Sequence, residues 1–273
     1  MNSSPSSSQK AKKCVLVTGA AKRVGQAIAM QFAQQGWNVA VHYGQSKKEA
    51  DETVAAIQKL GARAMAVQAD LASEAAITHL FAAVTAEMGP LDCIVNSASQ
   101  FEYDRPSAEP QLISAAFFQK MMQVNVLAPV LLAQLLYRQQ KSRAVDGLPN
   151  GDIPAVIQLL DQKLINLNPD YFSYTLSKGA LEYAGQMMAM DFAPHIRVVG
   201  LAPGISLPSG PQTSADFEVA HTMTPLRRSS TPMDIAKTAV FIAESNAITG
   251  TTIYVDGGQH LMPSSRDVMF TTK

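Results

Sequence analysis

Three observations predict an α/β fold, with one doubly wound parallel sheet of about seven strands and helices on both faces. Short apolar runs alternate with longer helical patterns along the whole chain. The runs do not alternate polar with apolar residues, as strands buried on both faces do not. A glycine-bearing turn joins the first run to the first helix, which is the arrangement of a Rossmann-like domain.

The elements follow in order. Cys14–Thr18 reads as a buried strand, and Arg23–Gly36 as a helix with Val24, Ile28 and Phe32 at helical spacing. Val39–Tyr43 is the second strand and about Lys47–Leu60 the second helix. Arg63–Ala69 is the third strand, Glu74–Met88 a helix closed by Gly89-Pro90, and Leu91–Asn96 the fourth strand. A long helix is expected over about Gln111–Gln140, followed by a polar loop over Lys141–Asp152. The strand Ala155–Leu160, a helix over about Tyr171–Phe192, the strand Ile196–Leu201, the helix Pro232–Glu244 and the strand Thr252–Val255 complete the series. Right-handed crossovers between such strands wind the sheet in both directions. No linker divides residues 13–273, which read as one domain behind a Ser-rich, disordered tail at residues 1–12. Residues 207–228, rich in Pro, Ser and Thr, are the candidate mobile lid over a substrate.

Composition excludes several classes. The 22 basic and 22 acidic residues balance, so neither nucleic acid nor an anionic membrane is the main partner. Apolar residues make up 47% of the chain, enough for a sizeable core. No run reaches the roughly 18 apolar residues of a membrane span. Cys14 and Cys93 are too few for a disulfide framework and lack metal-site spacing. They read as buried thiols in a reducing cytoplasm. His79, His195, His221 and His260 have no metal-like spacing and read as structural or surface residues, so no metal is expected. Met187, Met188 and Met190 read as helix-packing residues, while Met121 and Met122 suit either a pocket wall or a subunit contact.

The turn Thr18-Gly-Ala-Ala-Lys-Arg-Val-Gly25 fits a pyrophosphate. Its glycines let backbone approach closely, and a helix N-terminus offers unpaired N–H groups with partial positive charge. Gly19, Lys22, Arg23, Val24 and Gly25 are the candidate contacts. NAD-preferring folds carry an acid at the end of the second strand; here His42-Tyr-Gly-Gln-Ser-Lys47 has none. Arg23, Lys22, Ser46 and Lys47 suit a 2′-phosphate, which favours NADPH, although both lysines also fit as solvated surface charges. Asp70 fits either an adenine contact or a cap near Ser73.

Tyr174-Thr-Leu-Ser-Lys178 places tyrosine and lysine on one helix face. A neighbouring ammonium is expected to lower the tyrosine pKa and ready it for proton transfer near neutral pH.

These residues resemble the short-chain dehydrogenase/reductase family across nearly the whole chain. Thr18-Gly19 with Gly25, Asp70-Leu71, Asn96 with Ala98, Asn125, Tyr174 with Lys178, Pro203-Gly204 and Val255-Asp-Gly-Gly258 fall in the family's order. The resemblance implies that Asn125 organises a proton relay and that Lys178 also holds the nicotinamide ribose. Two departures stand out. Asn96-Ser-Ala-Ser99 replaces the usual Asn-Asn-Ala-Gly, and Asp161 stands thirteen positions before the tyrosine, where most members have serine. With Ala20-Ala-Lys-Arg23, His42-Tyr43 and Phe101, these departures resemble the pteridine reductases and dihydromonapterin reductases. Gly204-Ile-Ser206-Leu207 resembles their cofactor- and ligand-contacting segment.

That resemblance implies an NADPH-dependent reductase of a pterin-like ring. In it Asp161, Tyr174, Lys178 and Asn125 are catalytic, and Arg23, Ser99, Phe101, Asp161, Tyr174 and Leu207 meet the substrate. His42, Tyr43, Ser46, Asp70, Leu71, Asn96, Ala98, Ser99, Pro203, Gly204 and Ser206 join the turn residues at the cofactor. Asp161 suits ring chemistry because a carboxyl can bind or relay a proton to a ring nitrogen; it also fits as a turn cap. Phe101 fits as a stacking ring or an ordinary wall. A 3-oxoacyl-type carbonyl reductase and an idle NADP-sensing scaffold are the rivals. The resemblance also implies a homotetramer. Residues His260–Lys273 are a candidate cover for a neighbouring subunit's site.

Overall fold

The computed structural model describes residues 12–110, 112–145, 147–148, 151–208 and 213–270. The expected N-terminal tail lies almost wholly outside them. Strands β1 (Cys14–Val17), β2 (Asn38–Tyr43), β3 (Ala64–Gln68), β4 (Cys93–Asn96), β5 (Ala155–Leu159), β6 (Arg197–Pro203) and β7 (Thr252–Val255) form one sheet. Its order is β3-β2-β1-β4-β5-β6-β7, and every pairing is parallel. The order reverses between β1 and β4, so the crossovers on either side lie on opposite faces.

Strand geometry divides the core. Successive side chains point to opposite faces, so Val15 and Val17 join one apolar cluster and Cys14 and Leu16 the other. The first face is covered by α1 (Arg23–Gln34), α2 (Lys47–Lys59) and α8 (Pro232–Glu244), through Ile28, Phe32, Ile57, Ile235 and Ile242. The second is covered by α3 (Glu74–Met88), α5 (Ala128–Arg143) and α6 (Phe172–Asp191), through Leu80, Val84, Leu132, Leu136 and Met188. Both cysteines are buried free thiols, and burial pushes the Cys14 thiol up to about 12 and the Cys93 thiol well above its ordinary value. They are poor nucleophiles there.

Several boundaries differ from the sequence reading. The long helix begins at α4 (Ala115–Met122), because Ser114 is extended and its hydroxyl accepts from the Phe117 N–H. A π-helical turn, Gln123–Leu127, joins α4 to α5. By length and composition the continuous helix Ala115–Arg143 is long and apolar enough to cross a bilayer. Leu132, Ala133 and Leu136 instead pack it into the core. Residues 207–228 are not wholly loop: Thr213 and Asp216 form a capping box for α7 (Ser214–Thr222). Of the three methionines read as helix packing, only Met188 turns inward; Met187 and Met190 are exposed. Met121 is buried against Tyr171 and Tyr174.

The C-terminal segment is ordered through residue 270. It folds onto its own chain through two 3₁₀ turns, Gln259–Leu261 and Val268–Phe270. The carboxylate of Asp170 accepts from Arg266 Nε and the Asp267 N–H, each at 2.8 Å. That buried anion needs cationic and N–H partners, and the segment supplies them.

Candidate active site

Parallel strands present their carboxyl ends on one side, and the order reversal leaves a crevice that no crossover fills. The turns after β1, β4, β5 and β6 all open into it. The first is clipped to the β4 loop: Thr18 Oγ accepts from the N–H groups of Ser97 and Ala98, both at 3.0 Å. Gly19 has φ +65°, and a side chain there would meet the Ala98 Cα at 2.9 Å. A side chain at Gly25 would strike the Gly19 carbonyl. Helix α1 follows Lys22, which gives it no side-chain cap, and has no acid in its first turn, whereas Ser73 and Thr231 cap α3 and α8. Uncapped N–H groups beside a tight glycine turn suit an anion such as a pyrophosphate.

His42 stands beneath this turn. Its Nδ1 accepts from the Gly19 N–H at 3.1 Å, and its Nε2 lies 3.1 Å from the Ala69 carbonyl. Burial holds its pKa down at about 4, which keeps the ring neutral for that pair of contacts. His42 therefore supports the turn from behind while its edge lines the crevice, and Tyr43 packs in the core. Asn96 is corrected likewise: it is buried and donates to Gln158 Oε1 at 3.0 Å, bracing β4 against β5. Lys47 pairs with Asp51 at 2.6 Å on the surface of α2, the solvated-charge reading. Asp70 accepts from the Ala72 N–H while Ser73 caps α3. Ser46 precedes α2 without a side-chain capping bond.

The crevice has three parts. A groove of about 470 Å³ is lined by Gly19, Lys22, Arg23, Val24, Gly25, Ala98, Ser99, Lys178, Pro203, Gly204 and Ser206, among others. A hollow of about 510 Å³ extends it past His42, Asp70, Leu71 and Ser99. A smaller cavity of about 190 Å³ opens beside it, with Leu207, Tyr171, Met262, Asp267 and Met269 in its walls. Arg23, Phe101, Asp161, Tyr174, Gly204 and Ser206 line both groove and cavity, so they mark the junction.

At the junction Tyr174 donates its hydroxyl to Asp161 Oδ2 at 3.0 Å. Asp161 Oδ1 accepts from the Lys163 N–H at 2.9 Å, so the residue caps a turn and faces the site at once. Lys178 Nζ donates to the Leu159 carbonyl at 2.5 Å and lies 5.7 Å from the centre of the Tyr174 ring. Asn125, in the π turn, is fully engaged. Its amide donates to the Gln100 carbonyl and Ser177 Oγ, and its carbonyl accepts from Gln100 N–H and Ser99 Oγ. Its side chain thus clamps the β4 loop against α6. Phe101 stacks on Tyr171 at 4.4 Å and meets Tyr174 edge-on at 4.8 Å.

The electrostatics reverse one expectation. Burial, and then the charge and hydrogen bond of Asp161, hold the Tyr174 pKa well above its ordinary value. Burial also raises Asp161. Burial brings Lys178 down to about 8, against the raising influence of Asp161. The ammonium does not dominate because the carboxyl is the group bonded to the hydroxyl. Tyr174 is therefore a protonated phenol at neutral pH.

Sequence reasoning missed Lys163, Asp170, Tyr171, Asp267 and Met269. The pair Arg266-Asp267 was a visible signal of an ordered C-terminal segment, but its partner Asp170 lies 96 positions away. Asp104 was also missed: it accepts from the Ser173 N–H at 3.0 Å and from its hydroxyl. It thereby caps α6, whose preceding Tyr171 is left-handed and supplies no side-chain cap.

Comparison with known proteins agrees with this geometry. Residues 19–260 match the family described as enoyl-(acyl carrier protein) reductase. A crystal structure of FolM alternative dihydrofolate reductase 1 from Brucella canis, complexed with NADP, is 36% identical, with a TM-score of 0.84 over 94% of this chain and 97% of that one. The 3beta-hydroxysteroid dehydrogenase 1 of Eggerthella lenta is 31% identical over 92% of this chain and 95% of its own. Glucose 1-dehydrogenase 2 of Bacillus subtilis is 30% identical over 92% and 96%. The chain belongs to the short-chain dehydrogenase/reductase family.

Lys178 offers a direct test of the buried charge. Its value of about 8 in the folded protein lies below the ordinary 10.5. Between these values the unfolded chain holds more protons, so this group's contribution to stability rises with pH. The cost is complete below about pH 8 and relieved as pH climbs. The melting temperature of the wild type should therefore rise relative to Lys178→Met between pH 8 and 10. A difference that stays flat across that window would show an ordinary ammonium instead.

Proposed function

We propose that this oxidoreductase is an NADPH-dependent reductase of a pterin-like ring, of the dihydropterin or dihydrofolate type. The observation that carries the reading is a carboxyl, not a hydroxyl, hydrogen-bonded to Tyr174 at the junction of a nucleotide-sized groove and a small aromatic-walled cavity. Reducing a carbonyl calls for a hydroxyl to polarise oxygen. Reducing a ring C=N bond calls for a proton at nitrogen, which a paired phenol and carboxyl can hold and deliver.

The residues present fit the cofactor. The Gly19–Gly25 cradle and the uncapped start of α1 would hold its pyrophosphate. No acid ends β2 and Lys22 lines the groove, which suits a 2′-phosphate, while Arg23 stands at the junction beside Asp161 and Tyr174. Lys178 would hold the nicotinamide ribose. When bound, NADPH supplies a hydride. The chain's own residues manage the proton: Tyr174 gives its hydroxyl proton toward the ring nitrogen, and Asp161, raised by burial, takes up a proton from water and passes it back to the phenolate oxygen. Asn125 and Asp104 act as positioning residues, the first for the β4 loop and the second for α6. The NADP complex of the alternative dihydrofolate reductase supports both cofactor and substrate class.

A carbonyl reductase is the second reading, favoured by the names of the hydroxysteroid and glucose dehydrogenase relatives. Asp161 weighs against it. An idle scaffold would have no need of the buried Tyr174–Lys178 arrangement.

The chain also exposes Leu176, Tyr183, Met187 and Met190. Their spacings of seven, four and three put them on one face of α6. This stripe supports assembly into a homotetramer.

Purified protein with NADPH should consume it in the presence of dihydrobiopterin, dihydromonapterin or dihydrofolate, followed as absorbance loss. Turnover of an acetoacetyl thioester alone would overturn the pterin reading. Tyr174→Phe should lose at least about a hundredfold in turnover, the usual reach of a general acid, yet still bind NADPH in a fluorescence titration. Near-normal turnover would remove Tyr174 from the proton path. Light scattering should give four chains per particle, and Tyr183→Glu should give fewer; a monomeric wild type would refute the assembly.

A further inference from the structure

The 190 Å³ cavity holds two carboxylates, and the mechanism above uses only Asp161. The second belongs to Asp267. We propose that Asp267, carried into the cavity by the C-terminal segment of its own chain, is a specificity-determining residue. It would accept hydrogen bonds from the amino edge of a flat aminopyrimidine-type ring. The inference rests on the pterin reading and deepens it.

Each carboxylate accepts two hydrogen bonds within the chain, so their partners separate them: the proposed proton path engages Asp161 through Tyr174, and it does not engage Asp267. Asp161 commits Oδ1 to the Lys163 N–H and Oδ2 to the Tyr174 hydroxyl. Asp267 Oδ1 accepts from the Met269 N–H at 3.2 Å, and Oδ2 from Lys163 Nζ at 3.3 Å. A carboxylate has roughly four acceptor positions, so Asp267 retains capacity toward the cavity, where its side chain is still 19% exposed. An aminopyrimidine edge is rich in N–H donors and needs an acceptor of this kind. Tyr171 and Phe101, stacked on each other in the same walls, suit the flat ring.

Asp267 is also held in place from outside the cavity. The fully buried Asp170 accepts from the Asp267 N–H and Arg266 Nε at 2.8 Å, and lies 3.6 Å from Arg105. Lys163 Nζ donates to the Asp170 carbonyl at 2.5 Å. Its bond to Asp267 is the longer of the two, so Asp267 is not needed as the sole partner of that buried lysine. Arg266 stacks over Phe270 at 4.7 Å, and Tyr171 donates its hydroxyl to Met269 Sδ at 3.1 Å. These contacts fix the carboxylate before any ligand arrives, which spares the ordering cost of binding.

Two probes isolate the interaction: pterin, with a 2-amino group, and lumazine, with oxygen at that position. Binding to the full chain loaded with NADP+, which has no hydride to give, is read by calorimetry, independently of turnover. The wild type should favour pterin. Asp267→Asn, which keeps the size, should bind pterin about tenfold more weakly, as expected for a hydrogen bond to a charged group. Its affinity for lumazine and for NADP+ should barely change. Asp267→Ser is read in the same way, should the first variant fail to load NADP+. Unchanged pterin affinity in a variant that binds NADP+ overturns the role of Asp267 alone. Equal wild-type affinity for the two probes overturns it without any variant. No binding of either probe to the wild type overturns this inference and the pterin reading together.

Discussion

The reversal of strand order between β1 and β4 is the constraint on which the rest of this structure depends. Crossovers leave β1 toward one edge and β4 toward the other, so no helix can roof the gap between their carboxyl ends. The Gly19–Gly25 turn, the Ser97–Phe101 loop, Asp161 and the Gly204–Leu207 segment come together there because the chain leaves four adjacent strands at that place. Thr18 then locks the first two of these to each other through two N–H groups. Everything chemical is mounted on backbone whose position the sheet dictates.

On that frame the burial of three titratable groups sets the proton chemistry. Tyr174, Asp161 and Lys178 are shielded from water, and shielding disfavours each charged form. The phenol stays protonated, the carboxyl pKa rises, and the lysine falls to about 8. The tyrosine–lysine pair therefore works differently from the simple picture of an ammonium drawing a proton off a phenol. The group bonded to the hydroxyl is Asp161, and it pulls the other way. A phenol and a carboxyl sharing a hydrogen bond at the mouth of an aromatic cavity suit the proposed delivery of a proton. A lone phenolate beside a cation would be an acceptor instead.

The site was only partly legible before the fold was known. Tyr174 and Lys178 share a helix, so their four-residue spacing revealed them. Gly19 and Gly25 sit in one turn and were equally plain. His42 and Asn96 were placed correctly along the chain, but their roles depended on what lies behind them: Gly19 N–H and the Ala69 carbonyl in one case, Gln158 in the other. Helix α7 was missed although its Thr213–Asp216 capping signal is local. The contacts of the C-terminal segment with Asp170 were not legible, because that partner is distant in sequence and carries no local mark.

The α/β class, the seven strands and their helices, the phosphate turn, and the Tyr174–Lys178 face with Asp161 upstream are all readable along the chain. Each rests on local periodicity, a turn or a fixed spacing, and short-range geometry is written in consecutive residues. The tertiary structure alone decided the proton state of Tyr174, the bracing roles of His42, Asn96 and Asn125, and the closure of the cavity by Asp267 and Met269. Those outcomes depend on which side chains meet across tens of residues and how much water they exclude. No pattern along a single stretch of chain encodes either quantity.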